Sequence, residues 1–349
     1  MKTILFQIEE NQQEYKWMKE AAKLIRNGSL VAFPTETVYG LGANALDPVA
    51  ISKIYQAKGR PSDNPLIVHV ANLSMVEELV TEVPFLARKA MKRFWPGPLT
   101  LVMPRSTKVP DCVTAGLDTV AIRMPAHPVA LSLIDAAGVP IAAPSANRSG
   151  RPSPTRGQHV VEDLDGLIAG IIIGPESQFG VESTVLDVTG QVPEILRPGG
   201  VTREMLLEIY SEVRVDPALE SVDAKQIPKS PGQKYRHYAP RAKMTVMQGS
   251  LSFKKECALA ALTENSGKGV VLASDELAKL LPDQDVWNLG SYDCPEIAAN
   301  RLFDLLRMCD ARNIQWILAE GYEEEGLGAA LMNRMRKAAG GQVIKEEER

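Results

Sequence analysis

The amino-acid sequence predicts an α/β protein of two domains joined by a basic linker. The chain has 349 residues, which is more than one domain usually contains. Short apolar strands alternate with amphipathic helices along most of its length. Eighteen of the 24 prolines precede residue 216 and only two follow residue 240, so the composition changes along the chain. We therefore expect one domain over residues 1–215, a linker over 216–242 and a second domain over 243–349.

The first domain alternates between the two kinds of element. An amphipathic helix is predicted over residues 14–27, and Gly28 ends it. Asp47 followed by Pro48 is typical of a helix start, with an N-cap and then proline at the first helical position, and the helix should reach Ala57. Strands are predicted over the apolar segments 30–33, 66–70, 99–103, 119–124, 141–143, 167–173 and 184–188.

The second domain has a more regular alternation of strands and helices, which predicts a small parallel sheet and a Rossmann-like α/β domain. Its strands are predicted over residues 244–247, 269–273, 286–289 and 316–319, and its helices over 254–265, 275–281, 295–312 and 327–339. The charged residues 345–349 are expected to form a frayed tail.

The linker has an unusual charge. Residues 225–243 contain six Lys or Arg side chains, no acidic residue and three prolines, a composition typical of an extended segment. Tyr235 and its neighbours add rings and hydrogen-bond donors. We expect this segment to fold over a site in the first domain, although a solvated tether would have the same composition.

The composition excludes several classes of protein. A net charge of −4 and a pI near 5.8 argue against a broadly basic nucleic-acid coat. The sequence has no apolar run long enough for a membrane span and no signal peptide. Its four cysteines are widely spaced and predict reduced thiols, so we expect a cytoplasmic protein. The Walker A, GxGxxG, GxSxG and HExxH motifs are all missing from the sequence.

Four polar segments lie between the apolar strands, so each should open at a strand end, where α/β proteins place their chemistry. They are FPTETVYGLG over residues 33–42, KGRPSDNPL over 58–66, PSANRSG over 144–150, and EST over 182–184 followed by RPG over 197–199.

Two of these segments carry groups suited to phosphate. Lys58 offers a point charge and Arg60 a planar fork, with no partner that the sequence indicates. Ser145 and Asn147 add neutral donors, separated by a small alanine. Together the four could bind a polyphosphate as the catalytic residues of the site. A surface Lys/Arg pair beside a polar turn explains either segment equally well.

These motifs, together with SPGQKYRHYAP over residues 230–240, resemble the YrdC family in its long two-domain form. The resemblance implies a YrdC-like twisted mixed sheet with helices around a positively charged cavity. It also implies synthesis of threonylcarbamoyl adenylate and pyrophosphate from L-threonine, bicarbonate or CO2, and ATP. That product would supply the modification of tRNA to threonylcarbamoyladenosine.

The resemblance also implies which residues contact each substrate. By this resemblance, the residues expected to contact ATP are Lys58, Arg60, Asn64, Thr119, Ser145, Ser153, Arg197 and Tyr235. Those expected to contact threonine are Thr37, His69, Arg123, Ala143 and Ser183. Strand alternation places Thr119 and Arg123 on one face, and a buried arginine needs an anion. That anion is the threonine carboxylate or a carboxylate of the protein. Without the family resemblance, a single histidine in an apolar strand, such as His69, would be interpreted as a core residue.

Further expectations concern partners. Mg²⁺ should accompany ATP, but the sequence does not settle its ligands; Asp63 and Glu182 could hold it or orient donors. The product should pass to the tRNA threonylcarbamoyl-transferase machinery, and we expect at most weak RNA binding and no membrane association.

Two other functions are alternatives to synthesis of the adenylate. They are a non-catalytic RNA-binding module and a carbamoyl-adenylate-forming carbamoyltransferase.

Overall fold

The architecture was obtained from a computed structural model. It describes residues 2–8, 17–219, 238–264, 267–282 and 285–346. The chain divides into two compact units, the first made of residues 1–149 and 153–235 and the second of 150–152 and 236–349. Tyr235 and most of the expected linker lie outside the described residues, so the linker over the site and the exact domain bounds stay predictions.

The first unit contains one sheet and the helices that cover it. Its strands are β1 (Ile4–Gln7), β2 (Val31–Phe33), β3 (Gly40–Asn44), β4 (Ile67–His69), β5 (Leu99–Pro104), β6 (Thr119–Arg123), β7 (Ile141–Ala142), β8 (Gly170–Ile173), β9 (Thr184–Asp187), β10 (Glu194–Arg197) and β11 (Arg214–Val215). Its helices are α1 (Met18–Arg26), α2 (Pro48–Lys58), α3 (Leu73–Leu79), α4 (Phe85–Phe94), α5 (Asp111–Thr114), α6 (Pro128–Ala137), α7 (Gly157–Leu164) and α8 (Arg203–Leu207), with a 3₁₀ turn at Pro217–Leu219.

The sheet is mixed, as the sequence predicts, with the order β1-β8-β2-β3-β7-β4-β6-β5-β9-β10-β11. Side chains of one strand alternate between two apolar cores. Val31 and Phe33 of β2 pack with the cluster that includes Ile25 of α1 and Leu133 of α6. Ala32, between them, belongs to the other cluster, with Ile54 of α2. Apolar residues therefore cover both faces of the sheet, and its polar chemistry is confined to the strand ends.

Helix α2 begins as the sequence predicts and ends one residue beyond the predicted Ala57. The Asp47 side chain accepts a hydrogen bond from Val49 N–H, and Pro48 occupies the first turn. Gly59 ends the helix in the left-handed conformation at φ 62°, which glycine adopts without strain. This ending fixes Lys58 in the last turn and releases Arg60 into the loop that follows.

Strand β3 is an element that the sequence analysis missed. Its sequence, GLGAN, lacks the β-branched residues typical of strands. It forms because β2 and β7 pair with it from both sides. A Cβ on Gly42 would lie 2.8 Å from the Phe33 ring and 2.9 Å from Ile141, so tight packing requires this glycine.

The second unit is a parallel α/β domain, which confirms the prediction. Its elements are β12 (Lys243–Gln248), α9 (Leu251–Glu264), β13 (Gly269–Ser274), α10 (Asp275–Ala278), β14 (Val286–Gly290), α11 (Pro295–Ala311), β15 (Trp316–Glu320), α12 (Leu327–Ala338) and β16 (Val343–Lys345). The strand order is β14-β13-β15-β12-β16. The expected frayed tail is wrong at Lys345, which ends strand β16, and residues 347–349 lie outside the described residues. Among the described residues, no helix is both long and apolar enough to cross a bilayer.

Candidate active site

The carboxyl ends of two neighbouring strands form the centre of the candidate site. Strands β4 and β6 run parallel, and their register places His69 opposite Arg123 at these ends. The loop that leaves β2 reaches the same place, because Arg123 Nη1 donates to Thr37 Oγ1 across 2.8 Å. All three side chains are buried. The fold thus brings together three of the five residues predicted to contact threonine.

Arg123 has an anionic partner within the protein. Its Nη2 lies 2.7 Å from Oε1 of Glu36, and both side chains are only 4% exposed. The same Oε1 accepts a hydrogen bond from Ala126 N–H at 3.0 Å, and Arg123 Nε donates to the carbonyl oxygen of Gly97. The protein itself therefore supplies an anion for the buried arginine. Contact of Arg123 with a substrate carboxylate as well stays a prediction.

Burial and neighbouring charge set the protonation of this cluster. Burial raises the pKa of Glu36, but the charge of Arg123 and the hydrogen bonds outweigh it and hold this pKa below its usual value. Burial, and then the charge of Arg123, lowers the pKa of His69 to about 3. At neutral pH the site thus contains a carboxylate, a guanidinium and a neutral imidazole.

The neutral imidazole predicts a pH dependence of stability. Between about pH 6 and pH 5 the unfolded chain protonates His69 whereas the native chain does not, so stability falls as the pH falls. The expected contribution is about 1.4 kcal/mol per pH unit. Urea unfolding of the wild type and His69→Gln at several pH values measures it, and the variant should have the shallower slope. Identical slopes would contradict the prediction, since contributions from other buried groups such as His127 cancel between the two proteins.

A second cluster adjoins the first through β5. Thr100 lies opposite Arg123 in the β5–β6 register, and its hydroxyl is 2.8 Å from that of Ser183. Arg197 Nη2 donates to both the carbonyl oxygen and Oγ of Ser183, at 2.9 and 3.1 Å. β9 and β10 pair antiparallel. Ser183 and Arg197 therefore contact each other at neighbouring strand ends.

The Lys58 and Ser145 segments also meet. Lys58 Nζ donates to the main-chain carbonyl oxygens of Ser145 and Asn147, at 2.5 and 2.6 Å. Ser145 Oγ donates to Asn147 Oδ1 at 2.5 Å. The pairing of the two motifs is therefore real, but the absence of a structural partner for Lys58 was a wrong inference. Its buried ammonium group holds the loop of residues 145–147, which the sequence could not show.

The other residues predicted to bind ATP have varied surroundings. Arg60 is half-buried and makes long contacts, of 3.4 Å and 3.5 Å, with the carbonyls of Asn64 and Pro65. Asn64 is fully buried, and neither side-chain amide atom has a hydrogen-bond partner in the described part of the chain. A buried amide without partners is suited to a ligand. Thr119 lies at the opposite end of β6 from Arg123, so the two are not neighbours.

Two remaining predictions concern the loops after β7. Ser153 is buried, and its hydroxyl donates to Glu182 Oε1 at 2.6 Å, so Glu182 orients a donor here. Ala143 is buried beside β4, where its N–H donates to the carbonyl oxygen of Ile67. Neither contact tests a substrate role, and Tyr235 lies outside the described residues. The ATP and threonine assignments therefore stay predictions.

Sequence reasoning missed two buried polar residues of the site. Glu36 stands among hydroxyl residues in the segment FPTET, and its acidic side chain was the available signal. Thr100 sits in the apolar strand β5, and no signal in the sequence distinguishes it from a core threonine. Both became visible only through the partners that the fold places beside them.

Buried basic and hydroxyl groups at the strand ends of an α/β sheet are typical of a site for a small molecule. Residues 23–199 match the family Sua5_yciO_yrdC, described as "Telomere recombination", and residues 201–340 match "Threonylcarbamoyl-AMP synthase, C-terminal domain". The chain belongs to this threonylcarbamoyl-AMP synthase family and is an enzyme.

Full-length relatives agree with this assignment. The chain is 50% identical to the threonylcarbamoyl-AMP synthase of Pyrococcus abyssi, with 98% of this chain and 99% of the relative covered. It is 49% identical to that of Bacillus subtilis, covering 93% and 94%. The crystal structure of P. abyssi Sua5 complexed with L-threonine matches with a TM-score of 0.91 and 49% identity, over 98% of this chain and 99% of that one.

Proposed function

We propose that this protein synthesises L-threonylcarbamoyl adenylate and pyrophosphate from L-threonine, bicarbonate or CO2, and ATP. The observation that carries the proposal is the buried cluster of Thr37, His69 and Arg123 at the carboxyl ends of β4 and β6. It offers a cation for a carboxylate and neutral polar groups for a hydroxyl. The similarity of the whole chain to a protein crystallised with L-threonine supports this choice of amino acid.

We assign ATP to the polar segments beside this cluster. Arg60 and the Ser145–Asn147 loop would face the phosphates, with Lys58 fixing that loop through its carbonyl contacts. Asn64, Thr119, Ser153, Arg197 and Tyr235 complete the proposed ATP site. The described residues contain no group of three His, Cys, Asp or Glu side chains that could hold a metal. Mg²⁺ would come with ATP on its phosphate oxygens and neutralise their charge.

The proposed reaction needs positioning more than acid or base groups. The ammonium of threonine first loses a proton to solvent, and the neutral amine then attacks CO2 and loses a second proton to solvent, which gives a carbamate. An oxygen of the carbamate attacks the α-phosphate of ATP and displaces pyrophosphate. Steps of this kind are accelerated by orientation and by stabilisation of charge. Arg, Lys, Ser, Thr and Asn side chains provide both. We propose that the linker with Tyr235 closes over the site and protects the labile carbamate from water.

The decisive experiment measures pyrophosphate release with each substrate omitted in turn. We expect release only when ATP, threonine and bicarbonate are all present. A carbamoyl-adenylate-forming carbamoyltransferase would release pyrophosphate without threonine, and an RNA-binding module would release none. Release that is independent of threonine would overturn the proposal.

The hydroxyl groups of the site predict selectivity among amino acids. Thr35 donates its hydroxyl proton to the Val38 carbonyl, so the hydrogen bond between the two threonine hydroxyls is donated by Thr37. Thr37 Oγ1 also accepts one hydrogen bond from Arg123, which leaves its second lone pair for a ligand hydroxyl. Serine lacks only a methyl group, so its affinity should be roughly 10–200-fold lower than that of threonine. 2-Aminobutyrate lacks the hydroxyl and should bind more weakly than serine. Calorimetric titrations compare the three; a 2-aminobutyrate affinity equal to that of threonine would contradict the prediction.

We place the activity in the cytoplasm, upstream of the tRNA threonylcarbamoyl-transferase machinery. The name threonylcarbamoyl-AMP synthase, which two full-length relatives carry, supports the proposed product that this machinery would use. Weak tRNA binding would fit a product that is passed on quickly, and a filter-binding assay with the enzyme and tRNA would detect it.

A further inference from the structure

One oxygen of Glu36 has no partner. Its Oε1 is occupied by Arg123 and Ala126, but its Oε2 is buried and has no hydrogen bond within the part of the chain that the structure describes. A buried carboxylate oxygen without a donor is costly. Such an oxygen at the centre of a substrate site calls for a donor from the ligand.

The donors that Arg123 retains are equally informative. Of its five N–H groups, two donate hydrogen bonds, one to Thr37 and one to Gly97. Nη2 lies 2.7 Å from Glu36 Oε1 as an ion pair but makes no hydrogen bond within the described residues, so the guanidinium that Glu36 contacts keeps unused donors. The ion pair therefore presents a cation and an anion side by side, each with unused hydrogen-bonding capacity.

An α-amino acid has the complementary arrangement. Its carboxylate and its ammonium group are attached to one carbon atom, so both can meet neighbouring opposite charges at once. A carboxylate accepts hydrogen bonds only, and an ammonium group donates only. The Arg123–Glu36 pair is thus matched to a zwitterion, with the substrate carboxylate on Arg123 and the ammonium on Glu36.

His69 fits this division of roles. Its Nδ1 is buried, with no hydrogen-bond partner among the described residues. Burial keeps the imidazole neutral, so His69 adds no charge that would repel the ammonium. A neutral imidazole suits the hydroxyl of threonine, which leaves Glu36 as the acceptor for the ammonium.

We propose that Glu36 binds the α-ammonium group of the amino-acid substrate through Oε2, while its Oε1 holds Arg123. This assignment rests on the proposed function and adds a residue to its amino-acid site. It makes the enzyme select α-amino acids over hydroxy acids and fixes the nitrogen atom on which the carbamate forms.

The test compares L-threonine with the hydroxy acid in which a hydroxyl replaces its amino group. Calorimetry measures both ligands on the wild type, on Glu36→Gln, and on Glu208→Gln, a control that changes an exposed ion pair with Arg93 in the same way. We expect the wild type and the control to prefer threonine by at least about tenfold. In Glu36→Gln, threonine affinity should fall roughly 10- to 100-fold, with little change for the hydroxy acid.

Each other outcome overturns the assignment. If Glu36→Gln weakens both ligands equally, Glu36 acts only by positioning Arg123. If the wild type binds both ligands equally, no group recognises the ammonium, and this result needs no variant to fold. If the wild type binds neither threonine nor its analogue, the proposed function fails as well. Pyrophosphate release by the wild type with threonine, together with equal binding of the two ligands, rejects this inference alone.

Discussion

The Arg123→Met variant should lose threonine binding and about 3–5 kcal/mol of folding stability. Methionine leaves the Glu36 carboxylate buried with its charge uncompensated, since both side chains of this ion pair are 4% exposed. It also removes the donor to Thr37 and the cation for the substrate carboxylate. Urea unfolding and calorimetric titration with threonine measure the two losses separately.

A double variant separates stability from binding. In Arg123→Met combined with Glu36→Gln, the unpaired charge is gone, so about 2 kcal/mol or more of stability should return. Threonine binding should not return, because the guanidinium is still missing. A double variant as unstable as Arg123→Met alone would show that the buried charge was not the cause of the loss.

The Lys58→Met variant should abolish product formation and cost about 2–4 kcal/mol of stability. Methionine has much of the length of the aliphatic part of lysine, but it leaves the carbonyls of Ser145 and Asn147 without their charged donor. The loop that carries both motif side chains then loses its anchor. Pyrophosphate release and thermal unfolding give the two readouts.

Two further variants serve as controls for this result. Lys53→Met removes another lysine of α2 that donates to a main-chain carbonyl, that of Gly28, and should keep full activity. Arg60→Ala removes a half-buried side chain whose contacts with the carbonyls of Asn64 and Pro65 are long, at 3.4 Å and 3.5 Å, so it should lose activity at a smaller cost in stability than Lys58→Met. Wild-type pyrophosphate release in Lys58→Met would show that the reaction does not need the loop anchor, and in Arg60→Ala it would remove Arg60 from the phosphate site.

Local signals in the sequence predicted elements well where neighbouring residues decide the conformation. The Asp47 cap and the proline that follows it are short-range features, and α2 begins where they indicate. The regular alternation after residue 243 likewise predicted a parallel sheet. β3 was missed because the strands beside it stabilise it, and its own residues do not favour a strand.

The sequence by itself determined the class of fold, the polar segments at the strand ends and the family to which they belong. These follow from spacing, periodicity and residue type, which need no three-dimensional contact. Only the tertiary structure decided what the charged side chains meet: Glu36 for Arg123, and two main-chain carbonyls for Lys58. Such pairs join residues 87 apart or are made with backbone atoms, and no pattern along the chain encodes either. The physical reason is burial, because a charge removed from water must find a partner wherever the fold provides one.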